Sequence, residues 1–151
     1  MDKKKLLVQE WLKKAEHDLG MAKLALEYKE EYTDSICFHC QQYVEKTLKA
    51  YLIQQDIEFA KTHSLSYLVD LMGQKKKVSE ELYSLVEELE SYSVEIRYPG
   101  DGYEPTKGDA VKAYENALKV RQIIHTKLRS NVIERQVDGK KDRNHSHEFE
   151  I

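Results

Sequence analysis

The first candidates for chemistry lie in residues 94–105, VEIRYPGDGYEP, a stretch that contains both prolines of the chain. Arg97 offers a planar fork of N–H donors that suits a phosphate group. Because Pro99 lacks a backbone N–H and disfavours helical geometry in the residue before it, a helix must end near Tyr98. Arg97 then lies in the last helical turn, where the helix dipole favours a cation. It is either an anion contact or simply a helix-terminal charge.

Charged side chains in the first two predicted helices form a second group of candidates. Asp18 borders the apolar stripe of its helix, so its carboxylate needs a cationic partner. Glu45 and Lys49 are four residues apart, in the order typical of a surface ion pair. Lys46 reaches either a groove between the helices or solvent. If Asp18 and Glu45 face an open groove together, their carboxylates could bind a divalent metal ion.

Two residues are candidates for acid–base or nucleotide chemistry. Thr62 is predicted to cap a short helix, which places His63 in the first turn, where the dipole favours a neutral imidazole. His63 is then either a general acid or base or a residue that hydrogen-bonds locally. Tyr103 follows Arg97 by six residues, but tyrosine ordinarily has a pKa of about 10 and is a poor general base at neutral pH. Tyr98 and Tyr103 flank the proline–glycine turn and could stack on nucleobases if exposed.

Composition limits the class of protein. The 151 residues are 40% hydrophobic and 34% charged, with a formal net charge of −3, which is typical of one soluble globular domain. With this net charge, an anionic ligand would require a local basic cluster. The basic N-terminus holds too short an apolar run for a signal sequence or a membrane span, so a cytoplasmic location without membrane association is expected. Cys37 and Cys40 are expected on one buried helix face, not in a disulfide or a zinc site.

Apolar residues recur at steps of three and four along almost the whole chain, which predicts amphipathic helices. The period is lost over residues 55–60, and a short helix is expected to follow Thr62. Ser79 is the predicted N-cap of the next helix. Thr106 and Asp109 resemble a capping box at the start of the last one.

No alternating strand pattern competes with these helices. The sequence therefore predicts an all-α fold, an antiparallel up-down bundle of four long helices plus one short helix. The bundle is expected to cover residues 1–136. Residues 137–151 are strongly polar and are expected to form a charged C-terminal tail.

Four blocks of sequence, taken in order, resemble the HEPN domain family. The blocks are WLKKAEHDL (11–19), QYVEKTLKAY (42–51), THSL (62–65) and IRYP (96–99). The resemblance implies a bundle of four or five helices that is usually a homodimer and, in prokaryotes, is often encoded beside a minimal nucleotidyltransferase. It also implies a role with nucleotides or RNA, and many members of the family are RNA-cleaving toxins.

One motif departs from that of the ribonuclease members, in which an arginine is followed after four to six residues by a histidine. Arg97 is followed by YPGDGYE, with Tyr103 at the sixth position and no histidine. RNA cleavage by this motif is therefore not expected. The resemblance implies that Arg97 contacts an anion. It also matches Tyr103 to a tyrosine that receives a nucleotide from the partner enzyme in toxin–antitoxin systems.

The sequence thus favours a HEPN-type module, without a cofactor, that binds a nucleotide or an RNA phosphate and acts with a nucleotidyltransferase. The expected ligand-binding residues are Arg97, Tyr98, Lys46, Asp18 and Glu45. His63 and Tyr103 are the catalytic candidates. One alternative is an RNA-cleaving toxin in which His63, or a divalent metal on Asp18 and Glu45, replaces the missing histidine. The other is an interaction scaffold in which Asp18 and Arg97 pair only to hold the bundle together.

Overall fold

The computed structural model describes residues 2–95 and 104–142, with side chains for residues 2–92 and 104–130. Every regular element in these two ranges is an α-helix. The helices are α1 (Lys3–Tyr28), α2 (Thr33–Gln54), α3 (Leu65–Met72), α4 (Glu80–Glu95) and α5 (Lys107–Asp142). The predicted all-α bundle of four long helices and one short helix is therefore confirmed.

Helix α2 occupies the centre of the bundle, and it contacts each of the other four helices. Cys37 and Cys40 are buried on its inner side as free thiols, as the sequence predicts. Burial raises the pKa of Cys37 to about 12, so the thiol is unreactive at neutral pH. Burying each large apolar side chain of the core contributes roughly 1.5–3 kcal/mol. The largest fully buried side chains include Tyr43, Ile36, Leu48, Leu52, Leu65, Leu68, Leu82, Leu89, Ile124 and Leu128.

Two ion pairs fix the relative direction of α1 and α5. Arg121 donates from Nε and Nη2 to the carboxylate of Glu16, at 2.9 and 3.2 Å. Nearer the other end of α1, Lys107 Nζ lies 3.1 Å from Glu30 Oε1. Residue numbers rise by fourteen along α5 from Lys107 to Arg121, whereas their partners fall by fourteen, from Glu30 just beyond the end of α1 to Glu16 within it. The two helices are therefore antiparallel.

Local capping decides where several helices begin. Ser79 Oγ accepts a hydrogen bond from the backbone N–H of Leu82 at 3.2 Å, which confirms the predicted N-cap of α4. Thr106 and Asp109 exchange backbone-to-side-chain hydrogen bonds, each of 3.0 Å, and so form the predicted capping box. The short helix departs from prediction, because Ser64 and not Thr62 is its N-cap.

The cap at Ser64 corrects the position predicted for His63. Ser64 Oγ accepts from the N–H of Tyr67 at 3.2 Å, while Thr62 Oγ1 only accepts from the N–H of Ser64. His63 therefore lies in the connection before α3 and outside its first turn. Sequence alone favoured Thr62, the first of two hydroxyl residues, two positions apart, that can both cap.

A carboxylate from α4 holds the beginning of α3 in place. Glu90 accepts hydrogen bonds from the backbone N–H groups of Leu65 and Ser66, at 3.0 and 3.2 Å, and from the Ser66 hydroxyl. These are N–H groups that the first helical turn cannot satisfy internally, and negative charge is favoured at that end. The connection that carries His63 is thus anchored at its C-terminal end.

Several predictions fall outside the described residues. Arg97, Tyr98 and Tyr103 are among them, so their placement stays a prediction. Helix α5 runs to Asp142, and the division of the chain into a bundle and a tail at residue 136 likewise stays a prediction. Within the two described ranges, no helix combines the length and apolar character needed to cross a membrane.

His125 of α5 is a half-buried imidazole whose Nε2 is buried without a hydrogen-bond partner among the described residues. Desolvation lowers the pKa of His125 below its usual 6.5. The positive charge of Arg121 lowers this pKa further, the negative charge of Glu16 opposes the shift, and Arg129 adds to it. The folded protein therefore favours the neutral imidazole.

This depressed pKa predicts a pH-dependent stability. The stabilisation is present above pH 6.5, the ordinary value for the unfolded chain, and is lost as the pH falls through the lower folded value. We expect the free energy of unfolding in urea to decrease less between pH 7.5 and pH 5 in His125→Gln than in the unsubstituted protein. His17→Gln, which alters an exposed imidazole of α1, is the control and should leave that decrease unchanged. Equal decreases in all three proteins would contradict the assignment.

Candidate functional site

Five polar residues of α2 form a row along one side of the helix, which we name the polar stripe. Residues 39, 42, 46 and 49 follow one another at intervals of three or four, and Glu45 lies three residues from Gln42 and four from Lys49, so the five lie along one side of the helix. The stripe runs between α1 on one side and the connection before α3 on the other, as its hydrogen bonds to both show. Its members are His39, Gln42, Glu45, Lys46 and Lys49.

The first part of the site, the outer cluster, joins α1 to the polar stripe. It consists of Asp18, His39 and Lys46. Asp18 Oδ1 lies 2.8 Å from His39 Nδ1, and Asp18 Oδ2 lies 2.5 Å from Lys46 Nζ. The side chain of Asp18 is 11% exposed, whereas those of His39 and Lys46 are 27% and 24% exposed. The Asp18 carboxylate is therefore largely shielded from solvent, whereas the His39 imidazole and the Lys46 ammonium group remain accessible.

The outer cluster fixes the tautomer of His39. An ionised carboxylate can only accept, so the hydrogen bond to Asp18 places the ring proton of a neutral His39 on Nδ1. Nε2 then carries the lone pair. This carboxylate–imidazole arrangement is the one that orients a general base in several hydrolases.

The second part of the site, the inner cluster, is built on a buried ion pair. It consists of Glu45, Lys49 and His63. Glu45 Oε2 lies 2.9 Å from Lys49 Nζ, and Glu45 Oε1 lies 3.1 Å from His63 Nδ1. The side chains of Glu45 and Lys49 are 4% and 8% exposed, so the pair predicted at the surface is in fact buried.

Lys49 receives further support from residues around it. Its Nζ donates to the backbone carbonyl oxygen of Thr62 at 2.9 Å. It also lies 5.4 Å from the centre of the Trp11 ring and 5.9 Å from that of Phe59. Aromatic faces attract a cation, and they shield the ammonium group from water. Sequence spacing reveals the Glu45–Lys49 pair, but only the packing of these remote rings explains its burial.

His63 approaches the polar stripe from the connection before α3. Its side chain is 71% exposed, yet Nδ1 is held by the buried carboxylate of Glu45. A weaker hydrogen bond, 3.4 Å long, joins Gln41 Nε2 to the His63 carbonyl oxygen. His63 and His39 are therefore two accessible imidazoles, each bound through Nδ1 to a carboxylate that is itself shielded.

The formal charges of the two clusters cancel when the imidazoles are neutral. Asp18 and Glu45 supply two negative charges, and Lys46 and Lys49 supply two positive ones. The two carboxylates bind different cations and do not share a ligand. In the part of the chain that is described, no three histidine, cysteine or acidic side chains converge as a metal site requires.

Four predicted site residues come together in this region: Asp18, Glu45, Lys46 and His63. His39 was not among the predicted residues, although its spacing of three from Gln42 and seven from Lys46 on a helix could have indicated it. The surrounding motif, CFHC, was interpreted through its two cysteines, which are buried.

The sequence matches the HEPN domain family over residues 8–128. A protein of Methanocaldococcus jannaschii named "Putative toxin MJ1304" is 35% identical over 129 residues, which cover 76% of this chain and 83% of that protein. Two crystal structures are also similar. That of ST0689, an archaeal HEPN homologue, has a TM-score of 0.65 and 27% identity, covering 80% of this chain and 96% of the other. That of TT1696 from Thermus thermophilus has a TM-score of 0.70 and 25% identity, covering 80% and 97%.

The structure shows an up-down helical bundle, and the match to the family model identifies the family to which the chain belongs. The chain belongs to the HEPN domain family. The resemblance noted from four sequence blocks is thereby confirmed. Three of those blocks supply every residue of the two clusters except His39, because Asp18 comes from the first block, Glu45, Lys46 and Lys49 from the second, and His63 from the third.

Burial of the inner cluster predicts an asymmetry between two ion pairs. Glu45→Gln keeps the side-chain shape but leaves the buried Lys49 ammonium unpaired, so we expect a loss of roughly 3–5 kcal/mol in the free energy of unfolding. Glu16→Gln is the matched control, since it breaks an ion pair with Arg121 that is about half exposed and should cost less than about 1 kcal/mol. Denaturant melts of both variants measure the difference. Similar losses would contradict the burial of the inner cluster.

Proposed function

We propose that this chain is a HEPN-type module that binds the phosphate of a nucleotide or RNA and acts, in a toxin-like role, with a nucleotidyltransferase partner in the cytoplasm. The observation that carries the proposal is the outer cluster, with an accessible Lys46 and His39 anchored on Asp18. The relative named a toxin adds support from sequence similarity. The partner enzyme is proposed from the resemblance of the chain to HEPN proteins that are encoded beside one.

Lys46 is the proposed phosphate contact on α2. An ammonium group has three N–H donors, and the bond to Asp18 occupies one of them. Lys46 therefore retains donors for a phosphate oxygen while Asp18 keeps it in place. Asp18 and Glu45 act in this proposal as positioning residues, which hold cations and do not contact an anion directly.

Arg97 is proposed to supply the positive charge that the two clusters lack. Since Asp18 and Glu45 neutralise Lys46 and Lys49, an incoming phosphate requires one more cation. The guanidinium of Arg97 is suited to that task, and Tyr98 beside it is a candidate for stacking. Tyr103 is the proposed acceptor if the partner enzyme transfers a nucleotide to this chain.

RNA cleavage is the second candidate function, and the two oriented imidazoles favour it. One imidazole, such as His39, could remove the proton from a ribose 2′-hydroxyl as its oxygen attacks the phosphorus atom. The other, such as His63, could protonate the departing 5′-oxygen as the P–O bond breaks. Both histidines are bound to carboxylates at 2.8 and 3.1 Å, as acid–base groups commonly are.

Self-association is also part of the proposal. Among their described side chains, the antiparallel neighbours α1 and α5 leave six apolar groups between 40% and 53% exposed, and four of these lie in the second half of α1 and the first half of α5. Exposed apolar groups on adjacent helices are typical of surfaces that another chain covers. A second copy of the chain is the proposed occupant. The four side chains are Met21, Leu24, Val111 and Leu118.

The binding proposal predicts a selective loss of affinity. Titrated with ATP and with a short single-stranded RNA, Lys46→Ala and Arg97→Ala should each bind at least about tenfold more weakly, because each removes a charge-assisted phosphate contact. Lys107→Ala, which removes an exposed lysine bound to Glu30 near the far end of α1, is the control and should bind normally. Calorimetry measures the affinities.

The same titration separates the three candidate functions. RNA that is cleaved by the unsubstituted protein but not by His39→Ala would favour the ribonuclease. Intact RNA with Lys46-dependent binding would favour the binding module. If the unsubstituted protein binds neither ligand and Lys46→Ala changes only the unfolding midpoint, the chain is an interaction scaffold and the proposal is wrong.

Self-association predicts a dimeric mass in light scattering at micromolar concentration. Leu24→Lys places a charge in the proposed contact, so it should shift the mass towards that of the 17.7 kDa chain without unfolding it. Phe38→Lys, which alters an exposed side chain of α2, provides a comparison. A monomeric mass for the unsubstituted protein would contradict a dimer.

A further inference from the structure

We infer that Phe38 and Gln42 form a nucleobase-binding subsite on α2, adjoining the outer cluster. This inference rests on the proposed function, since it assigns the base of the nucleotide whose phosphate Lys46 contacts. It narrows the ligand from any phosphate to a nucleoside phosphate.

Phe38 is an aromatic side chain that the bundle does not bury. It is 46% exposed, although its neighbours Ile36, Cys37 and Cys40 on the same helix are almost completely buried. Its ring packs edge-on against the His39 ring, with centres 5.4 Å apart and an angle of 73° between the planes. This T-shaped contact holds the Phe38 ring next to the outer cluster, and the exposed part of the ring offers surface to a base.

Phe38, Gln42 and Lys46 follow one another at intervals of four residues. Such residues lie on the same helix face, and the first and last are about 12 Å apart along the axis. The order along the helix is therefore an aromatic ring, a carboxamide and a cation. A nucleoside phosphate presents a base with a π-face, the hydrogen-bonding edge of that base, and a phosphate, which match the three side chains in turn.

Gln42 is placed to contact the edge of the base. Its Nε2 lies 3.4 Å from Glu45 Oε1, a long contact that leaves the amide oxygen and the second N–H donor available. A carboxamide can accept from the N6 amino group of adenine and donate to its N7. An adenine nucleotide is therefore the ligand that this subsite fits.

The charge balance of the two clusters favours a base contact in addition to the phosphate contacts proposed for Lys46 and Arg97. Two carboxylates and two lysines cancel in the clusters, so coulombic attraction contributes little to the capture of a phosphate there. Stacking of one base on an aromatic side chain typically changes affinity by about tenfold or more. The subsite would thus provide a large share of the affinity and would distinguish nucleotides from inorganic phosphates.

The test compares ATP with inorganic triphosphate, which lacks a base, by calorimetry. We expect Phe38→Ala to bind ATP about tenfold more weakly and to bind triphosphate as the unsubstituted protein does. Phe38→Trp, which restores an aromatic face, should recover ATP affinity. Tyr28→Ala is the matched control, since it removes a tyrosine of α1 that is 73% exposed, and it should bind both ligands normally. Circular dichroism melts establish that each variant is folded.

The outcomes distinguish this inference from the proposed function. If ATP binding depends on Lys46 but is unaffected by Phe38→Ala, the subsite is wrong and the phosphate site stands. If Phe38→Ala weakens ATP and triphosphate equally, the ring only positions His39 and the subsite is again wrong. If the unsubstituted protein binds the single-stranded RNA but neither ATP nor triphosphate, the subsite is wrong and the proposed function stands. If it binds none of the three, the proposed function fails and the subsite fails with it.

Discussion

The burial of the Glu45 carboxylate is the constraint on which the site depends. A carboxylate that is 4% exposed is costly unless it is paired and hydrogen-bonded. Glu45 meets that requirement through Lys49 from its own helix and His63 from the connection before α3. Since Lys49 also bonds to the carbonyl of Thr62, this one charge ties a surface connection to the central helix.

The same principle explains the outer cluster and its accessibility. Asp18 is less buried than Glu45, and the side chains of its two partners are each about one quarter exposed. The carboxylates therefore stabilise the fold while they orient the groups that could contact a ligand. Asp18 thus holds Lys46 in position before any ligand binds.

Local sequence signals account for much of this architecture, and remote packing accounts for the rest. Periodic apolar residues and the caps at Ser79 and Thr106 were sufficient to predict the helices, because these signals act within a few residues. The choice of Ser64 over Thr62 as a cap was not predictable from residue type, since both hydroxyls can accept. The burial of Lys49 depends on Trp11 and Phe59, which are 38 and 10 residues away in sequence.

The site was predictable only in part for the same reason. Asp18 and Lys46 were found through spacing and resemblance, and their direct contact required the packing of α1 against α2. His39 was missed, because its helical spacing from Gln42 and Lys46 shows that it shares their side of α2 but does not reveal the carboxylate of Asp18 on another helix. The polar stripe becomes recognisable once the side of α2 that faces Asp18 and His63 is known.

The central claim is that ligands bind along the side of α2 that carries Phe38, the polar stripe and His63. The most direct test is a titration of isotope-labelled protein with ATP, followed by backbone amide NMR. The account predicts that the largest changes in amide chemical shift occur in residues 38–49, with smaller changes around Asp18 and His63. Changes confined to the outer faces of α4 and α5, with residues 38–49 unaffected, would contradict it.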